Sequence, residues 1–203
     1  VHYQRSIGAR QLGYSQKGNR QARHRLLQEK IQANGNVYGK VKYITMNIRI
    51  ENLKKIYNDT TVLDIDHLEI ASGELIGLVG NNGAGKTTLL RLMLDLIETN
   101  DGFVESGGQK VNESEAWKKY TGSYIDGKFL IDFLTPEEYF DFIAEIYQID
   151  DATLQERLAQ FEGFMHDEIM GTKKYLRDFS QGNRQKIGII GAMIVNPKVL
   201  LLD

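Results

Sequence analysis

The chain has 203 residues, enough for one sizeable domain, and its 41% hydrophobic and 26% charged content is that of a globular protein. It contains no cysteine, which excludes disulfides and thiolate metal sites, and no apolar run approaches the ~18 residues needed to cross a bilayer. The net charge of −2 conceals a split: residues 1–45 carry nine Lys and Arg against one acid, Glu29, and residues 46–203 carry 16 basic and 26 acidic residues.

Such a split marks two pieces with different histories or different partners. The first, residues 1–45, is rich in Gln, Gly, Arg and Tyr, and only Arg25–Ile31 hints at a short helix. Three readings compete: a basic arm with interleaved tyrosines for nucleic acid or anionic lipid, an Arg-rich organelle-targeting segment, or an extension outside the native coding sequence. The last is favoured, because Met46 is the first methionine and a clean strand pattern starts directly after it. Residues 1–45 are therefore expected to be a disordered or non-native extension, dispensable for function, and no nucleic-acid partner is expected.

Residues 46–203 read as one domain. "NIRIENLKKIY" alternates apolar and polar residues, as a half-buried strand does. "TVLDIDHLEI" alternates likewise, with Val62, Leu63, Ile65, Leu68 and Ile70 as inward candidates. After the turn "ASGE", the short apolar run "LIGLVG" predicts a strand buried on both faces, as in a parallel sheet. "LLRLMLDLIE" predicts a helix, and after Gly102 the chain becomes more helical. Thr135-Pro136-Glu137-Glu138 is a helix start, with Thr as N-cap, Pro in the first position and Glu138 completing a capping box. That helix is predicted to run through "YFDFIAEIYQI", a second over about Thr153 to Phe161, and a third from near Ser180 through "NRQKIGIIGAMIV". Asn196-Pro197 breaks the third helix, and "KVLLLD" predicts another buried strand.

The chemistry concentrates between "LIGLVG" and the first helix. Gly80, Asn81, Asn82, Gly83, Ala84, Gly85, Lys86, Thr87 and Thr88 spell G-x-x-x-x-G-K-[ST] between a strand and a helix. A triphosphate is best held by inward-pointing backbone N–H groups and the positive end of a helix. Glycines at 80, 83 and 85 let the loop wrap a phosphate without Cβ clashes. Lys86 supplies a mobile cation for the β- and γ-phosphates, and Thr87 a hydroxyl for Mg²⁺. A glycine-rich turn that only connects two elements would also match the spelling, but its place in the strand–loop–helix order argues for ATP or another nucleotide as ligand.

Later residues choose among the phosphate-loop families. "DFSQGNRQK", Asp178 to Lys186, opens a helix just upstream of the "VLLLD" strand. In this order, Met46 to Asp203 resembles the ATP-binding subunit of ABC transporters. The resemblance implies an α/β fold: a P-loop NTPase core, an antiparallel β subdomain and a helical subdomain. It places Tyr57 as the aromatic that stacks on adenine. It reads Ser180, Gln181, Gly182 and Asn183 as the signature that holds the γ-phosphate of ATP on an opposite subunit; Phe179, Gln181 and Asn183 depart from the commonest spelling. Where the family carries a Mg²⁺-sensing glutamine, "GSYIDGKFLIDFL" has none, and Asp126 falls closest. A carboxylate there can approach Mg²⁺ directly or through water, or can simply face solvent.

The resemblance also assigns Asp203 to the Mg²⁺ shell, with Thr87, and puts a glutamate general base directly after it. No catalytic base is therefore assigned within these residues, and the sequence is expected to be a fragment, incomplete at its C-terminus, with little hydrolysis of its own. The implied partners are a second ATP-binding subunit and a separate transmembrane permease, met by the segment carrying Phe129 and Phe133. The implied place is the cytoplasmic face of a membrane, and the S-Q-G spelling is similar to that of export ATPases. The alternatives are a soluble, ribosome-acting ABC ATPase and a non-hydrolysing ATP-binding module. The interval from Lys86 to Ser180 is too short for the coiled coil of DNA-maintenance relatives, and no N-K-x-D guanine motif is present.

Overall fold

The alternating stretches after Met46 build the first packed layer. In the computed structural model, which describes residues 2–5, 46–125 and 127–203, a short strand His2–Arg5 (β1) precedes them. The helix expected over Arg25–Ile31 lies outside the described residues. Ile48–Tyr57 (β2) and Thr60–Ile70 (β3) form an antiparallel hairpin. Its tip is Asn58-Asp59, both at positive φ, the backbone a two-residue turn needs to match the strand twist.

The next strand, Ile76–Val79 (β4), leads through the glycine loop into helix Lys86–Met93 (α1). Asp101–Ser106 (β5) and Gln109–Lys110 (β6) then return to the first layer, giving a four-stranded antiparallel sheet in the order β3-β2-β5-β6. Its inner face, with Ile50 and Leu53 fully buried, packs on Leu89, Leu92 and Met93 of α1. Burying such side chains contributes about 1.5–3 kcal/mol each, and this face is what fixes α1, and the loop before it, against the sheet.

Thr121–Tyr124 (β7) pairs in parallel with a strand almost eighty positions later, and the chain between them forms a helical unit. It comprises Pro136–Ile146 (α2), Asp151–Ala159 (α3), Glu162–Met165 (α4) and Gln181–Ile194 (α5). A second core, with Phe140, Leu154, Ile169, Leu176, Ile187 and Ile190, holds these helices together. The expected capping box at Thr135 and Glu138 is present with both of its hydrogen bonds. Asp150 caps α3, and the N–H and hydroxyl of Thr153 hold its carboxyl below the ordinary value. Val199–Leu202 (β8) closes the described chain beside β7.

Three expectations need correction. The strands β5, β6 and β7 lie in a stretch that the sequence reads only as becoming more helical; they exist through pairing, β5 with β2, β6 with β5 and β7 with β8. The helix expected from Leu89 onward begins at Lys86 and stops at Met93, with Asp95 at φ 51 turning the chain away. And neither β4 nor β8 is buried on both faces. β4 pairs with β1 and β8 with β7 among the described residues; Val79 stays 58% exposed, and Leu200 and Leu202 are half-exposed. Among the described residues no helix is long and apolar enough to cross a membrane.

Candidate nucleotide site

The loop from Gly80 to Gly85 owes its shape to two residues in left-handed conformation, Gly83 at φ 82 and Gly85 at φ 84. A side chain is strained in that region, so the turn requires glycine at both places. The N–H of Ala84 closes the loop onto the Asn81 carbonyl at 3.1 Å. Asn81 and Asn82 sit exposed at its tip, Gly85 is buried, and Ala84, Thr87 and Thr88 are half-buried where loop becomes helix.

The start of α1 differs chemically from the other long helices. Thr135, Asp150 and Ser180 cap α2, α3 and α5 with their own side chains. At α1 the N-cap is Gly85, no side chain caps the helix, and its first turn holds no acid. The first-turn N–H groups and the positive end of the helix dipole are thus left to an external anion. Lys86 adds a full charge to that position. Its ammonium lies across the loop, donating to the carbonyls of Gly80 at 2.8 Å and Asn81 at 3.0 Å. A phosphate arriving at the loop would draw the same ammonium toward its oxygens.

Pairing of β8 with β7 carries Asp203 to the other side of this loop. The Asp203 N–H donates to the Tyr124 carbonyl at 3.0 Å, and its carboxylate accepts from the Thr87 hydroxyl at 2.5 Å. Two oxygens from residues 116 positions apart thereby meet beside the loop. Both are hard donors of the type Mg²⁺ takes. Among the described residues no three His, Cys, Asp or Glu converge on one point. Mg²⁺ commonly takes one or two protein oxygens and completes its shell with phosphate and water. Asp126, the other metal candidate, lies outside the described residues.

The remaining candidates stand on separate elements. Tyr57 ends β2, 45% exposed. Ser180 is the N-cap of α5, its hydroxyl accepting from the Asn183 N–H at 3.3 Å, and the Asn183 amide donates to Glu168 at 3.2 Å. Gln181 and Gly182 lie exposed on the first turn, above the buried ring of Phe179. Between this helix start and Asp203 runs an open cleft of about 500 Å³, lined also by Tyr124, Gly127 and Arg184. Sequence reasoning missed Arg184. Its guanidinium pairs with Asp132 at 2.5 Å and donates to the Gly127 carbonyl at 3.3 Å, tying α5 to the segment after β7. Only its place four residues beyond the cap could have drawn notice.

Comparison with known proteins adds to this geometry. The family described as "ABC transporter" matches residues 63–203. Over 158 residues the chain is 34% identical to the probable sulfate/thiosulfate import ATP-binding protein CysA of Chlorella vulgaris, covering 78% of this chain and 66% of that protein. It is 33% identical over 157 residues to the bacitracin transport ATP-binding protein BcrA of Enterococcus faecalis, covering 77% of this chain and 50% of that protein. Likeness to the spermidine/putrescine import ATP-binding protein PotA of Mannheimia succiniciproducens is 31% over 156 residues, 77% of this chain and 42% of that one. The chain thus spans less than two thirds of the length of these relatives. A solved structure of the ATP-binding subunit of an ABC transporter superposes with a TM-score of 0.62 at 21% identity, covering 77% of this chain and 65% of that one. That likeness shows the fold: an α/β core with an antiparallel sheet and a helical unit.

Proposed function

The chain belongs to the ABC transporter family, and from that premise we propose that residues 80–88 with Asp203 bind Mg²⁺ and ATP on behalf of a transporter. The meeting of the Thr87 hydroxyl with the Asp203 carboxylate beside an uncapped helix start carries the reading. In this proposal Lys86 and the N–H groups of the loop and first turn hold the phosphates, Thr87 and Asp203 hold the metal, and Tyr57 takes the adenine. The metal, when bound, neutralises charge on the β- and γ-phosphates.

The wider proposal is that the whole protein hydrolyses ATP to power transport through a separate membrane subunit. Ser180, Gln181, Gly182 and Asn183 lie exposed or half-buried at the start of α5, on a surface available to the γ-phosphate site of a second copy. Phe129 and Phe133, 64% and 66% exposed, offer an apolar surface for the membrane subunit. This assembly would sit on the cytoplasmic face of a membrane. Export is the direction suggested by the spelling of residues 180–182. The relatives named above include two importers, so the direction does not rest on them.

The test is the metal dependence of ATP binding. The wild-type chain is expected to bind ATP at least ~10-fold more tightly with Mg²⁺ than with EDTA, and the Asp203→Asn variant to lose that difference while keeping its EDTA affinity. Isothermal titration reads both. An Asp203→Asn variant with the full Mg²⁺ effect would remove the carboxylate from the metal site.

A further inference from the structure

Tyr57 is not a free-standing ring. The Lys55 ammonium lies over it, 4.9 Å from the ring centroid. The same ammonium donates to the Glu98 carbonyl at 2.6 Å, so the cation is held from two sides. The strand beneath is held as well. The β2–β3 register shifts between Lys55 and Ile56, and the segment after α1 fills that irregularity. Ile56 N–H donates to the Asn100 side chain at 2.8 Å, Asn100 N–H to the Lys54 carbonyl at 2.9 Å, and the Thr99 hydroxyl to the same carbonyl at 3.0 Å.

From this arrangement we propose that Lys55 is a positioning residue for the nucleotide base: its ammonium, anchored on Glu98, occupies one face of Tyr57 and presents the ring to a purine. The inference rests on the reading of Tyr57 as the base platform and names a group that reading did not include. A cation over an aromatic face is attracted by the ring quadrupole. A ring already fixed in its binding orientation loses less freedom when a base stacks on it. The ring nevertheless remains 45% exposed, so the anchoring leaves surface for the base. Lys55 has no role toward the phosphates, which sit at the far end of the nucleotide in the Gly80–Thr88 loop.

Base and phosphate can be separated by the ligand. The full chain is titrated with ATP and with inorganic tripolyphosphate, each with Mg²⁺, as wild type and as Lys55→Gln, Lys55→Arg, Tyr57→Ala and the Lys55→Gln/Tyr57→Ala double variant. Lys55→Gln keeps a side-chain N–H for the Glu98 carbonyl but removes the charge. It is expected to weaken ATP about three- to fivefold and leave tripolyphosphate unchanged. Lys55→Arg is expected to restore ATP affinity, and Lys55→Gln to have no further effect in the Tyr57→Ala background, as for two residues acting through one contact. ATP affinity unchanged in Lys55→Gln, an equal loss for ATP and tripolyphosphate, or a full additional loss in the double variant would each overturn the proposal. Tyr57→Ala binding ATP like wild type would remove the platform itself. A chain that takes up neither ligand would instead remove the phosphate-site reading on which both stand.

Discussion

ATP binding is expected to fall at least ~100-fold when Lys86 is replaced by alanine. The ammonium already spans the loop, donating to the Gly80 and Asn81 carbonyls, so its charge sits where phosphates would enter. Two charge-assisted hydrogen bonds to phosphate at roughly 1.5–3 kcal/mol each set the scale of the loss. The fold is expected to survive the change. α1 is held by Leu89, Leu90, Leu92 and Met93, all buried, whereas Lys86 is only half-buried. Isothermal titration of the Lys86→Ala variant, with a thermal melt beside it, separates the two effects. An unchanged affinity in a folded Lys86→Ala variant would mean that the loop does not hold ATP.

A large expected loss of stability comes from a glycine that carries no motif. Gly122 lies in β7 against the last turns of α5, and a Cβ placed there would stand 2.0 Å from the Ala192 carbonyl oxygen and 3.1 Å from Cγ of Pro197. The nearest neighbour is helix backbone, which cannot swing aside as a flexible side chain can, so β7 and α5 must separate. Overpacking of this kind costs about 3 kcal/mol or more, a drop in Tm of roughly 6–12 °C for a chain of this size. The consequence reaches the site, because β7 holds Asp203 through the Tyr124 carbonyl and α5 carries Ser180 and Arg184. Gly163 is the control: a Cβ there meets nothing within 4 Å, and Gly163→Ala is expected to stay within about 0.5 kcal/mol of wild type. Equal melting of Gly122→Ala and wild type would contradict the close packing of β7 on α5.

What was legible in the sequence was local. The glycine loop between strand and helix and the Thr135–Glu138 box each depend on residues within a few positions of one another, and each stands where its spelling puts it. The strands β5 and β7 were illegible because "DGFVES" and "TGSY" have no apolar period of their own. Val104 is buried because β5 pairs with β2, and Thr121 because β7 lies beside β8 under α5. Continuous apolar runs misled in the other direction: "LIGLVG" and "VLLLD" read as strands covered on both faces, whereas β8 has one face buried and β4 one face half-buried. Side-chain partnerships across the chain were also invisible. The Lys55–Glu98 and Arg184–Asp132 contacts join residues 43 and 52 positions apart, and no local pattern announces either. Thr87 and Asp203 share one metal shell only by the resemblance, since no local pattern links residues 116 positions apart, and the fold puts their oxygens 2.5 Å apart.

The central claim is that one nucleotide site lies where Gly80–Thr88 meets Asp203, and backbone amide chemical shifts locate a ligand residue by residue. In an NMR titration of the labelled chain with Mg²⁺ and ATP, the largest shifts are expected at the amides of Gly83 to Thr88 and of Asp203, with smaller ones at Tyr57. Saturable shifts confined to another part of the molecule, or none at millimolar ATP, would contradict the assignment.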